Sequence, residues 1–441
     1  MNKENIFMEL QEEVNQIKMI DSHSHLVPYA DLRGKTDLFS LFALHSGHSL
    51  ESAGMPSNQF VQLESSVRDD NGKWLLFSHY WERIHNTAYA RLFLMAIKKI
   101  FGFSDITGDN YQELSEKIFQ AYSVADNSYY EKVIKNYAGI EKMVWDFGSL
   151  DADKDFFFPA YRFENRRAPA YDHFITVRTR DELEIIEAHY NCSILCFCDF
   201  LKVYETAVES AVRKGAVAFK TLLAYLRTLD FELVTKNEAE KVFNTIFTRF
   251  KPNRGFLENQ MEGPSWKDTK LLQDYMMHYT LRLLTHHKIP AKIHAGFQSG
   301  KRNVPAFANP QLLNNLFIHY RDLQFVVMHT AIPFSYELGA LAKNFSNVAI
   351  DFSWSNTLSP SISKRFLNDM LEFLPVHKIM GFGSDNATAE GVFGEAVMSR
   401  KAVTEVLTEK VSEGYFDLYE AKKIANKLLR QNVIDIFKLP L

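Results

Sequence analysis

KMIDSHSHL, residues 18–26, sets two apolar side chains, Met19 and Ile20, directly ahead of alternating polar groups. We read residues 18–24 as a buried strand that opens at its C-terminal end. Side chains two apart on a strand share a face, so His23 and His25 aim at one point. Two neutral imidazoles so placed suit a divalent metal; a hydrogen-bonded pair at a surface turn is the plainer alternative. Pro28 blocks simple continuation of the strand. A helix over about residues 3–16 precedes it.

Beyond residue 140 the chain alternates short apolar runs with helical stretches. The strand candidates are KMVWDFG (142–148), DFFFPAYRF (155–163), AVAFKTLL (216–223), PAKIHAG (290–296), LQFVVMHT (323–330), NVAIDFSW (347–354) and KIMGFGSDN (378–386). With the first strand they make eight. Such alternation predicts an α/β chain with helices around a parallel sheet, and the count predicts a closed (β/α)8, or TIM, barrel. ILCFCDF at 194–200 is ambiguous between a strand and a buried helix start. Residues 31–140 break the rhythm with polar turns and long helical patterns. We take them as a mostly helical insertion after strand 1, roughly a cap over the barrel mouth, with a separate helical domain as the rival. The expected organisation is 1–30 for the N-terminal helix and first strand, 31–140 for the insertion, and 141–441 for the rest of the barrel and the C-terminal helices.

Polar residues end several of these strands. His294 follows KI, His329 follows LQFVVM, and Asp385 follows KIMGFGS. Strand ends of a barrel converge on one face, where catalytic groups collect. His23, His25, His294, His329 and Asp385 are therefore expected around one cation. Imidazoles with one carboxylate suit zinc first, and also iron, manganese or nickel. Asp385 could then move the proton of an activated water. Lys220 sits inside the apolar run VAFKTLL, where a lone charge is costly. It is expected in the site as a carboxylated lysine bridging metals, as an ammonium binding a substrate carboxylate, or in a structural ion pair. Arg162 and Arg227 are candidates for holding an anionic substrate group, with a structural salt bridge the rival for Arg227. Gln298 and Arg302, on the loop after His294, are candidates for substrate specificity. A capping insertion would bring one of His45, His48, His79 or His85 to the substrate.

Composition limits the partners. The 441 residues are 46% hydrophobic and carry a net charge of −4, from 50 basic and 54 acidic groups. That balance gives no electrostatic footprint for nucleic acid. No apolar run reaches the roughly 18 residues of a membrane helix, and the first residues lack the apolar centre of a signal peptide. A small-molecule substrate is expected. The 36 Phe and 19 Tyr make self-association into a homo-oligomer reasonable. Cys192, Cys196 and Cys198 are expected as buried core thiols in a cytoplasmic protein without disulfides.

These motifs resemble the amidohydrolase superfamily, in its amidohydrolase-related branch. DSHSHL at 21–26 looks like the first-strand signature; KIHAGFQSG, FVVMHTAIP and FGSDN match the fifth, sixth and eighth strand positions. The run from Asn309 to Trp354 is similar to the N-terminal amidohydrolase domains of glutamine-synthetase-like fungal developmental proteins and nodulins. The resemblance covers about residues 18–440 and is weakest over 31–140. It implies a barrel of the metal-dependent hydrolase type. His23, His25 and His294 would bind metal, and His329 would bind a second metal or assist the substrate. Asp385 would be ligand and acid/base. One metal is expected, a second is allowed, and Lys220 is placed for the carboxylation seen in two-metal relatives. Hydrolysis of an amide or related C–N bond in a carboxylate-bearing substrate is the first expectation. A metal-dependent decarboxylase or uronate isomerase, or a barrel that only binds ligand, are the alternatives.

Overall fold

The computed structural model describes residues 2–162, 174–249, 265–300 and 303–441. Eight parallel strands follow one another around the sheet in chain order: β1 (Met19–Ser24), β2 (Ile140–Trp145), β3 (Phe157–Arg162), β4 (Ala218–Thr221), β5 (Ala291–Ile293), β6 (Phe325–Val327), β7 (Val348–Asp351) and β8 (Ile379–Met380). Each expected strand is present; seven are trimmed at their ends, and β2 begins two residues before the expected 142. The ring closes between β8 and β1 through backbone bonds: Ser22 N–H to the Phe382 carbonyl at 3.2 Å, Asp385 N–H to His23 at 2.7 Å, and His25 N–H to Asn386 at 3.2 Å. The fold is thus a (β/α)8 barrel with a largely helical insertion.

The lower barrel is filled by Ile20, Val144, Phe158, Ala160, Ala218, Val326 and Met380, and the C-terminal residues Val433, Phe437 and Leu439 pack beneath them. A second, larger core lies between strands and helices and runs on into the insertion. Burial of this kind of surface is the main favourable term in folding. The segment ILCFCDF resolves as a helix start: Cys196 is the N-cap of the helix Phe197–Arg213, whose buried face includes Phe197, Phe200, Leu201 and Tyr204.

The expectation of buried core thiols without a disulfide is corrected. Cys196 and Cys198 are joined as a disulfide, and Cys192 is half-buried and free. Cys198 and Leu195 both face solvent. The physical reason is helical phase, since Phe197, Phe200 and Leu201 take the inward positions and leave Cys198 outside.

The insertion holds five long helices, Leu38–Ser52, Ser57–Glu64, Asp70–Ile84, Ala88–Phe101 and Tyr111–Ala121. Its entry is fixed by Asp37, whose carboxylate caps the first of them in a capping box with Ser40 and pairs with the buried Lys73 at 2.5 Å. It is anchored on the long helix Ala389–Ser412 through Glu390, which accepts hydrogen bonds from the hydroxyls of Tyr122 and Tyr129. No helix among the described residues is long and apolar enough to cross a membrane.

Arg227 is structural. It is fully buried, pairs with Asp274 at 2.7 Å, donates to the Asp230 carbonyl at 2.7 Å and lies over the Phe231 ring. Arg227→Met leaves Asp274 short of its buried partner, and we expect a stability loss of about 3 kcal/mol. Denaturant unfolding of the variant, beside an unchanged metal content, checks this placement.

Candidate active site

At the C-terminal ends of the strands lies a cavity of about 350 Å³. It is lined by His25, Arg162, Lys220, His294, His329, Trp354 and Asp385 from the barrel, and by Leu44, His45, His48 and Tyr89 from the insertion. The structure thus brings residues from both parts of the chain to one site.

The floor is built on β1. Asp21, buried below the histidines, accepts the backbone N–H groups of His23 and Ser384 on one oxygen, each at 2.9 Å. This locks the end of β1 to the segment after β8. His23 Nε2 and His25 Nε2 lie 3.2 Å apart, and Asp385 Oδ1 stands 3.2 Å from the first and 3.1 Å from the second. The His25 Nδ1 atom donates to the Asp146 carbonyl at 2.5 Å, which leaves the Nε2 lone pair facing the other donors.

Asp146, at the end of β2, is fully buried. Its Oδ1 accepts from Arg162 Nε at 2.9 Å, and its Oδ2, 3.9 Å from His23 Nε2, has no hydrogen-bond partner. Burial opposes its charge. The Arg162 guanidinium, with His25 and Lys220, outweighs burial and holds the carboxyl far below the usual carboxylate range.

The same logic runs through the site. Burial raises the cost of charging Asp385, but His329, His23 and His25 keep it ionised. Burial, aided by Lys220, pushes His23 well below the ordinary imidazole value. Burial takes His329 to about 4, so both rings are neutral near pH 7. Lys220, 3.2 Å from His23 Nε2 and 3.7 Å from Asp146, falls to about 8, chiefly through burial.

These donors fit a divalent cation. Ligand atoms around one tetrahedral ion lie about 3.4 Å apart for bonds near 2.1 Å, close to the separations among His23, His25 and Asp385. The orphaned Asp146 oxygen and the neutral His23 imidazole point the same way. His23, His25 and Asp146 also form a buried group whose ligand atoms lie within 4.8 Å of one another.

The other anticipated residues are distributed as follows. His329 donates from Nδ1 to the Ser353 carbonyl at 3.1 Å. His294 is turned to the Phe297 carbonyl, to which its Nε2 donates at 2.8 Å, with its ring 4.4 Å from that of His329. Gly296 follows with φ +82°, and a Cβ there would press on the backbone of Ala331 and Ile332. Gln298 is buried and ties the loop after β5 to the Ala224 carbonyl at 2.5 Å; Ser299 lines the cavity instead. Arg302 lies outside the described residues. His45 and His48 reach the cavity, whereas His85 pairs with Asp105 at 3.0 Å.

Sequence reasoning missed Asp146, Trp354, Tyr89 and Tyr225. Asp146 carried the signal applied elsewhere, an acid at the end of an apolar strand. Three of the cavity residues, His329, Trp354 and Asp385, have left-handed backbones with φ 61°, 68° and 47°. Such conformations are held by their surroundings and cluster at functional sites. For Trp354 the support is Glu395 on the helix Ala389–Ser412, whose carboxyl is bonded by Asn356 Nδ2 at 3.0 Å and by the Thr357 hydroxyl.

Burial raises the Glu395 pKa to about 7. In the unfolded chain the group ionises near 4.5. The stability it confers is therefore full below that value and is lost as pH rises from about 4.5 to about 7, by up to about 3 kcal/mol. Glu395→Gln, which mimics the protonated acid, should flatten this part of the stability–pH curve in denaturant titrations.

The comparisons agree with this fold. The family model described as Amidohydrolase matches residues 236–397. Protein fluG of Emericella nidulans is 24% identical over 250 residues, 54% of this chain and 28% of that protein, so the match spans little more than a quarter of the relative. Among solved structures, the uronate isomerase of Thermotoga maritima has a TM-score of 0.75 at 15% identity, covering 98% of this chain and 97% of that one. A Lactobacillus casei protein, provisionally named a metal-dependent hydrolase, has a TM-score of 0.67 at 19% identity and covers 97% of both chains. The last two likenesses concern the fold. With the barrel, the paired histidines of β1 and the aspartate after β8 in place, the family match identifies this chain as carrying an amidohydrolase-superfamily domain, similar to part of the fungal fluG protein.

Proposed function

We propose that this chain is a metal-dependent isomerase of a sugar acid, moving a proton between neighbouring carbons of a small polyhydroxy carboxylate. The observation that carries this reading is one cavity holding both a three-donor metal floor and two cationic side chains, Lys220 and Arg162. A substrate with a carboxylate and adjacent oxygens answers both features. The correspondence with the T. maritima uronate isomerase over nearly the full length of both chains supports the reading.

A divalent ion, expected to be zinc, would be held by His23, His25 and Asp385 and would supply Lewis-acid polarisation of the substrate oxygens. The protein's own groups do the rest. Lys220, uncarboxylated and mainly the ammonium near pH 7, offers a cation for the carboxylate. Asp385 Oδ2, 3.8 Å from His329 Nδ1, is placed to take or return a proton. His329, neutral at pH 7, is the second proton carrier. Arg162 holds Asp146 in place beneath His25.

A second reading, hydrolysis of an amide C–N bond in a carboxylate-bearing substrate, is favoured by the family match, because residues 236–397 include the strand ends bearing His294, His329 and Asp385. Product analysis separates the two. Isomerisation in deuterated water gives a ketose acid with solvent deuterium and no added water; hydrolysis gives two fragments and consumes one water. Metal-replete protein that leaves hexuronates unchanged but cleaves N-acyl amino acids would overturn the isomerase reading. Under either reading, elemental analysis should find about one metal per chain in the wild type, and less than about one tenth in His23→Ala or Asp385→Asn.

A further inference from the structure

The wall facing the metal floor comes from the helical insertion. The helix Leu38–Ser52 is broken at Ser46, where φ is −143° and ψ is 31°, between two cavity-lining residues, His45 and His48. The two histidines differ. The His45 ring bonds at both nitrogens, to Asn386 Oδ1 at 3.1 Å and to the Tyr89 carbonyl at 3.2 Å. His48 Nε2 is buried in the cavity wall without a hydrogen-bond partner. Burial lowers the His48 pKa to about 4, so the ring is neutral and can donate or accept one hydrogen bond.

Beside it stands Tyr89, its ring 4.4 Å from that of His48 in an edge-to-face arrangement. The Trp354 indole N–H donates to the Tyr89 hydroxyl. With that lone pair occupied, the phenol keeps its own proton to donate. A buried polar atom without a partner costs about 1–3 kcal/mol. Its persistence in a ligand-sized polar cavity marks a place where a ligand makes the missing bond.

We infer that His48 Nε2 and the Tyr89 hydroxyl form a hydroxyl-reading pair, supplied by the insertion, that selects polyhydroxylated carboxylates over short ones. This deepens the sugar-acid reading and rests on it for the substrate class. The carboxylate and its nearest oxygen engage the floor, and hydroxyls farther along the chain reach the insertion wall. A short hydroxy acid makes only the first set of contacts.

Calorimetric titration of the zinc-loaded protein with two unreactive probes, D-gluconate and glycolate, tests this. Wild type should bind gluconate more tightly than glycolate. His48→Phe and Tyr89→Phe should each weaken gluconate by about 5–10-fold, one lost hydrogen bond, and leave glycolate within about twofold. His48→Gln, which restores a donor, should recover part of the loss. Equal losses for both probes would assign these residues a structural role, and unchanged gluconate binding, or no preference in the wild type, would also overturn the inference. Uronate turnover with gluconate preference intact in His48→Phe sinks this inference alone. Gluconate preference lost in that variant, in a protein that turns over no uronate, sinks the isomerase reading alone.

Discussion

The seam between β1 and β8 carries the site. There the Asp385 amide bonds the His23 carbonyl, and one oxygen of Asp21 gathers the amides of His23 and Ser384. These bonds close the barrel, and they also bring two imidazoles and a carboxylate from opposite ends of the chain to about 3 Å of one another. Closure and ligand geometry are one constraint. A shift at the seam would open the sheet and separate the donors together. The next layer repeats the device: Asp351 at the end of β7 accepts the Ser353 amide at 2.8 Å and the Ser22 hydroxyl at 2.7 Å, with Lys292 3.4 Å from its other oxygen. Buried charges there are paired and hydrogen-bonded, as low-dielectric surroundings require.

The insertion is tied to this framework rather than simply resting on it. Glu390 and Glu395 sit five residues apart on the helix Ala389–Ser412 and face different partners. The first holds the tyrosines of the insertion, and the second holds the loop after β7 that presents Trp354. The Trp354–Tyr89 bond joins the two sides across the cavity wall. The cavity is therefore framed by barrel strands below and by insertion helices above, and one helix braces both. Left-handed backbone at Trp354 is sustained by this bracing.

Much of the barrel was legible because its signals are local. A short apolar run reads the same way wherever it occurs, and all eight strands were found so. The pairing of His23 with His25 follows from the two-residue period. Asp146 was within reach of the same rule. Other assignments lay beyond local pattern. Arg227 and Arg162 both end apolar stretches with a guanidinium; only packing shows that Asp274 claims the first and that the second holds Asp146 in the site. The cysteines read as buried because their neighbours are apolar, whereas helical phase turns Cys198 outward.

The sequence by itself determined an eight-stranded α/β barrel, an inserted helical block and the pair of histidines opening β1, because each depends on periodicities of a few residues. The tertiary structure decided which face those histidines take. The register between β1 and β2 slips between Asp21 and Ser24, so alternation counted from Ile20 does not carry through to His23. It also decided that Tyr89 and His48 share a cavity with Asp385, about three hundred residues or more away. Contacts at that separation arise only when the barrel closes, and no short-range pattern encodes them.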